Sequence, residues 1–179
     1  MPFPRSKKKV YTEDELYEYA VGALARRMRT VAELKRLLRQ KVEADTEFGQ
    51  TLVELIIRRI KDQGYLNDVK YAAAYSSFRR DNEKFGRMRV VTDLKAKGVH
   101  GEVIDKAVSS VYDDVNEEKQ ARAYLQRKRL VKPKDQKQAA RIFRQLTRAG
   151  FRAKTIFSIL KRWEVDEETL TALETETTE

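Results

Sequence analysis

The side chains in this chain that could do chemistry are almost all cations. Thirty-eight Lys and Arg stand against twenty-eight Asp and Glu, a formal net charge of +10, with a single histidine and no cysteine. Without cysteine there is no disulfide framework, no thiolate zinc site and no thiol nucleophile. His100 alone builds no multi-histidine metal site, and its position after the helix-ending Gly98 reads as a loop or cap. A Ser-His-Asp triad would have to run through that one histidine, and no nucleophile elbow is present. The expectation is a binding protein that is not an enzyme and takes no cofactor and no metal.

The cations are unevenly placed. Residues 113–163 hold fifteen basic and five acidic side chains, and from Lys119 to Trp163 the only acid is Asp135. Arg127, Lys128, Arg129, Arg141, Arg144, Arg148 and Lys154 all fall in this stretch. So much like charge repels itself unless an anionic partner relieves it, and nucleic acid is the usual such partner. The plain alternative is a solvated face that only keeps the protein soluble. A second cluster, Arg79, Arg80, Lys84, Arg87, Arg89, Lys95 and Lys97, surrounds one interhelical turn containing Gly86. That glycine either lets the backbone approach a phosphate or merely opens a helix. Tyr65, Tyr71, Tyr75, Phe78 and Phe85 lie nearby, but their helical spacing favours core packing over base stacking. Residues 1–9 add four cations, while 164–179 carry seven acids and no base. This acidic tail is expected to be disordered, with folding back onto the basic stretch as a hypothesis.

The elements that must position these charges read as helix after helix. Hydrophobic residues make up 41% and charged residues 37% of the chain, with 7 Gly and 3 Pro, which suits an all-helical protein with long solvated faces. Thr12 with Glu15 and Thr30 with Glu33 have capping-box spacing. Apolar stripes follow: Leu16, Ala20 and Ala23; Leu34 and Leu38; Val53, Ile56 and Ile60; Val69, Ala72, Tyr75 and Phe78; Met88, Val91 and Leu94; Ile104 and Val108; Ala121 and Leu125; Ile142 and Leu146; Ile156, Leu160 and Trp163. Gly64, Gly98 and Gly150 are helix stops. An offset of 52 residues takes Leu94 to Leu146, Gly98 to Gly150, Ile104 to Ile156 and Val108 to Leu160, and one of 51 takes Val53 to Ile104 and Ile57 to Val108. The second helices of the first two units align at 56 instead, implying a five-residue insertion in the first unit's loop.

These offsets predict three tandem three-helix repeats in an elongated, curved array, because units this small share apolar surface by stacking. The boundaries are a basic arm at 1–11, repeats at 12–64, 65–112 and 113–163, and the tail at 164–179. No apolar run approaches the ~20 residues of a membrane span, and no signal-peptide pattern opens the chain. With the lack of cysteine, that points to the cytoplasm. A monomer is the expected state.

Four blocks of this sequence resemble the bacterial regulatory protein RecX family. Gly64–Arg79 reads GYLNDVKYAAAYSSFR, Phe85–Val99 reads FGRMRVVTDLKAKGV, and Ala149–Leu160 reads AGFRAKTIFSIL. In the first unit, ARRMRTVAELKRLLRQK fits the family's R-R-x-R-S/T, E-L, L-x-x-K pattern. The sequence departs at Ala149, where a basic residue is usual, and at Val42, where a Gly is usual; both termini lie outside the pattern. The resemblance implies three three-helix units that bind the RecA filament and restrain its activity, and that also bind single-stranded and double-stranded DNA, without membrane. It makes Arg26, Arg27, Arg79, Arg80, Arg87, Arg89, Lys95, Lys97, Arg127, Lys128, Arg129, Arg141, Arg144, Arg148 and Lys154 candidate RecA or DNA contacts, with nucleotide and Mg²⁺ belonging to RecA. The alternative is a general nucleic-acid-binding helical module independent of RecA. A helix-turn-helix regulator is a third possibility for which no single recognition helix stands out.

Overall fold

Start signals in the sequence set the helices, and the computed structural model, which describes residues 11–43 and 46–178, places ten of them there and no strand. They are α1 (Glu13–Arg26), α2 (Val31–Arg39), α3 (Glu47–Asp62), α4 (Asp68–Asp81), α5 (Arg87–Ala96), α6 (Gly101–Tyr112), α7 (Glu117–Arg127), α8 (Gln136–Arg148), α9 (Ala153–Arg162) and α10 (Glu167–Thr178). Both capping boxes form: Thr12 and Thr30 accept from the N–H groups of Glu15 and Glu33, whose carboxylates accept in return. Asn116 and Asp135 cap α7 and α8. The lone acid of the basic stretch is therefore used up as a helix cap, its Oδ1 accepting from Gln138 N–H at 2.7 Å.

Packing divides the chain into two units, and each is described by itself. The first comprises residues up to 71 together with 96–100, the second residues 72–95 together with 101 onward. In the first, α1, α2 and α3 close around Leu16, Ala20, Ala23, Leu34, Leu38, Val53, Ile56 and Ile60. Gly98 belongs to this unit: at φ +75°, a Cβ on it would come within 2.4 Å of the Ala32 methyl.

In the second unit, α5 and α6 bury Val90, Leu94, Ile104 and Val108, while α7, α8, α9 and α10 share a cluster built on Ala121, Leu125, Leu146, Ile156, Leu160, Leu170 and Leu173. Positions one repeat apart have matching environments. Leu94 and Leu146, Ile104 and Ile156, and Val108 and Leu160 are all fully buried, and Gly64, Gly98 and Gly150 all adopt positive φ. The architecture is all-α, built from tandem three-helix repeats.

Three expectations are corrected. On α4 the buried face is Tyr71, Ala72 and Ser76, while Val69 and Phe78 are exposed. On α5 Val90 takes the core position and Met88 is exposed. The acidic tail is helical rather than disordered: Asp166 accepts from Thr169 N–H at 2.7 Å, and α10 buries Leu170 and Leu173 in the cluster of the second unit. The basic arm, apart from Tyr11, lies outside the described residues.

Candidate nucleic-acid and partner-binding surface

Whether a surface cation can meet a partner depends on what already holds it. Several of the candidates are committed to the fold. Arg80 lies on Asp81 through Nε and Nη2 (2.7 and 3.0 Å) and donates to the Val111 carbonyl at 2.8 Å, tying α4 to α6. Arg87 donates to Asp113 and to Ser109 Oγ, both at 3.0 Å. Arg127 donates to the Asn82 carbonyl at 2.7 Å and pairs with Glu83.

Arg79 is half-buried, its guanidinium 4.9 Å from the Tyr75 ring centre and 5.4 Å from that of Phe85, with a buried Nε that has no hydrogen-bond partner. Its charge is held between two aromatic faces. In the first unit, Lys97 pairs with Glu33 at 2.9 Å and lies near the Tyr71 ring. Burial opposes the charge on both partners, yet their mutual contact wins: the Lys97 ammonium is held above its ordinary range and the Glu33 carboxyl below its own, helped by the Thr30 N–H.

Others are free. Arg26 and Arg27 are exposed at the end of α1, and Lys95, Arg129 and Lys154 are exposed without an ion pair. Lys128 caps α7 with its ammonium 5.9 Å from the Tyr124 ring. Arg144 is exposed on α8.

Three of the candidates come together. Arg89 of α5 and Arg141 and Arg148 of α8 line one cleft of about 390 Å³, with Phe85, Tyr124, Gln145 and Ala149. The cleft exists because two glycines let two backbones touch. Gly86 N–H donates to the Ala149 carbonyl at 2.8 Å, and Met88 N–H to the Gly150 carbonyl at 3.3 Å. A Cβ on Gly86 would lie 2.2 Å from the Gly150 oxygen, and one on Gly150 would lie 2.2 Å from Arg89 N. The close approach foreseen for Gly86 is thus to the chain's own backbone, not to a phosphate.

Arg89 is oriented from both sides. Its Nε pairs with Asp93 at 3.0 Å, and its Nη1 lies 3.4 Å from the Arg148 carbonyl at the end of α8. Asp93 also accepts from Tyr75 Oη at 3.0 Å. Burial, then the Asp93 carboxylate, pushes the Tyr75 phenol up, so it stays the donor. Arg148 spends its Nε on the Arg144 carbonyl at 3.2 Å, which leaves both terminal nitrogens for the cleft.

The side chains of Arg141 and Gln145 make no hydrogen bond or ion pair within the chain. Tyr124 is 5% exposed, and its hydroxyl has no partner in the chain. Sequence reasoning missed Gln145, while the core packing it expected for Phe85 is met: Phe85 packs against the cluster that holds Tyr124. The signal was the spacing of Arg141, Gln145 and Arg148, which puts all three on one face of a helix.

Other clefts are already neutralised. The one beside Gly86 and Tyr112 pairs Arg87 with Asp113 and fixes Glu117 on Arg152 N–H (3.0 Å) and Thr155 Oγ1 (2.7 Å). In the first unit, the groove between α2 and α3 is spanned by the Lys35–Glu54 pair at 2.7 Å. Among the described residues, no three His, Cys, Asp or Glu side chains could hold a metal ion, and no helix is long and apolar enough to cross a membrane.

The fold defines a class: tandem three-helix repeat proteins, here with many cations exposed at the surface. Comparison with known proteins narrows it. A family model described as RecX, second three-helix domain, matches residues 67–108. The regulatory protein RecX of Trichlorobacter lovleyi is 31% identical over 151 residues, covering 83% of this chain and 95% of its own length. That of Deinococcus radiodurans is 31% identical over 160 residues, 88% of this chain and 72% of its own. That of Bacillus subtilis is 30% identical over 158 residues, and this chain spans only 57% of its length. A crystal structure of RecX from Lactobacillus salivarius superposes with a TM-score of 0.62 at 20% identity, covering 85% of this chain and 96% of that one. This chain belongs to the RecX family.

Proposed function

We propose that this protein is a negative modulator of the RecA recombinase. It binds the groove of the RecA–single-stranded DNA filament and inhibits ATP hydrolysis, strand exchange and filament growth. The observation that carries this reading is the match to a regulatory protein RecX along 95% of that relative's length. The physics is multivalent: successive helical repeats bound along a filament multiply weak contacts by effective concentration. Such a protein acts without catalysis of its own, in the cytoplasm, as a monomer, with nucleotide and Mg²⁺ bound by RecA. The repeat boundaries proposed from sequence, at 64/65 and 112/113, then mark successive filament-binding modules.

The test is RecA's single-stranded-DNA-dependent ATP hydrolysis with this protein titrated in. The parallel variant changes Arg26, Lys95 and Lys154 to Gln, since these cations are exposed and hold nothing in the fold. The expected result is inhibition at less than one copy per RecA, with a roughly tenfold higher concentration needed for the variant. No inhibition despite tight DNA binding overturns the reading. It then favours the second one, a nucleic-acid-binding helical module independent of RecA, which the fifteen-to-five excess of bases in residues 113–163 supports.

A further inference from the structure

The cleft between α5, α7 and α8 is more specific than a basic surface. Three guanidinium groups meet at its rim, two on α8 and one held on α5 by Asp93 and the end of α8. Beneath them lie the half-buried Phe85 and the buried Tyr124, whose rings are 6.1 Å apart. The polar groups left over are the Tyr124 hydroxyl, inside a residue 95% withdrawn from solvent, and the Gln145 amide. Neither group has a hydrogen-bond partner within the chain, so both can turn to a ligand.

Guanidinium forks match phosphate oxygens. A phosphate alone uses the rim and leaves the floor empty. A double helix offers phosphates but keeps its base edges paired inside the stack. An unpaired nucleotide offers both: a phosphodiester for the rim, and a base whose edge can reach a phenol and an amide. The cations continue along the same unit, from Lys137 to Lys154, so the phosphate belongs to a chain rather than to a free nucleotide.

We propose that this cleft receives one nucleotide of single-stranded nucleic acid, its phosphate between Arg141, Arg148 and Arg89 and its base edge at Tyr124 and Gln145. The inference rests on the nucleic-acid contact of the reading above, but not on RecA. Its test contains no RecA, so either can fail while the other stands.

The experiment is fluorescence anisotropy of the full chain with three labelled probes of equal length: oligothymidylate, the same backbone with abasic sites throughout, and a duplex. Arg141→Gln with Arg148→Gln is compared with Lys137→Gln with Lys161→Gln, an equal charge change on the same unit outside the cleft. The cleft pair is expected to weaken oligothymidylate binding about tenfold at about 0.1 M salt and to make the log-log salt slope shallower by about 0.7, one phosphate's worth; the control pair is expected to weaken it less than about threefold. Tyr124→Phe keeps the ring and its packing. It is expected to weaken oligothymidylate about fivefold, with abasic and duplex binding unchanged, and Gln145→Ala is expected to act in the same direction. Equal losses from the cleft and control pairs overturn the site. A Tyr124→Phe effect that is absent, or equal on the abasic strand, overturns the placement of the base.

Discussion

At the scale of the residue, exposure does not separate cations that hold the fold from cations that can meet a partner; hydrogen-bond engagement does. Lys97 shows the difference. It stands among free lysines in sequence, yet it is paired with Glu33, and its backbone carbonyl accepts from Thr30 Oγ1 at 2.7 Å. The pair makes a pH-dependent contribution. Because Glu33 titrates below its ordinary value in the folded chain, its contribution is present above about pH 4.5 and is lost as pH falls through the folded value. Because Lys97 titrates above 10.5, its contribution is present below that and is lost only as pH rises through the raised value. Asp68 opposes the acid limb: burial holds its carboxyl above 3.8 despite the Val31 N–H, so its ionisation costs stability as pH rises. Glu33→Gln should therefore lower the urea-derived stability by about 1 kcal/mol near pH 7 and by much less near pH 3. An equal loss at both pH values would mean that the charge of Glu33, and so its pairing with Lys97, is not what stabilises the fold.

At the scale of the element, Gly86 and Gly150 hold α5 against the end of α8 and so build the cleft. A Cβ on either lands 2.2 Å from backbone atoms, which cannot move aside as a side-chain tip can, and Gly150 also sits at φ +90°. Gly86→Ala is expected to cost about 2–4 kcal/mol in urea unfolding and to weaken oligothymidylate binding along with it, whereas Gly64→Ala, which meets nothing within 4 Å, should cost only about 1 kcal/mol for its positive φ. If the two variants cost the same, the backbone junction carries no special weight.

The elements themselves were legible. Capping boxes at Thr12 and Thr30, glycine stops and the repeat of apolar positions mark helix starts, ends and buried faces from sequence alone. The cleft was less so. Arg141, Gln145 and Arg148 share a helix face by spacing, but spacing says nothing of what that face meets, and Arg89 lies one repeat away. The α4 stripe misled because Val69 and Phe78 satisfy helical periodicity as well as Tyr71 and Ser76 do, and periodicity alone does not say which of the two faces is buried. Arg80 and Arg87 read as free for a similar reason: their partners, Val111 and Asp113, are supplied by the far end of another helix.

At the scale of the molecule, the charge is a dipole along the chain, with the basic stretch of 113–163 followed by an acidic tail, and the tail is folded as α10 against α8 rather than trailing in water. Two effects of α10 can be separated. Its Leu170 and Leu173 close the cluster of the second unit, so deleting residues 166–179 should lower stability by about 3 kcal/mol as those side chains and their neighbours lose burial. Its carboxylates lower the local potential without sharing that packing. Changing Glu167 and Glu168 to Gln keeps the leucines and removes two charges, so stability should hardly change while oligothymidylate affinity rises severalfold in low salt. That gain should fade near 0.15 M, where the screening length is about 8 Å. Anisotropy across a salt series, read beside urea unfolding of the same two variants, distinguishes the effects. If the Gln variant binds no more tightly in low salt, the tail serves packing alone, and the positive potential of the basic repeat reaches its partner undiminished.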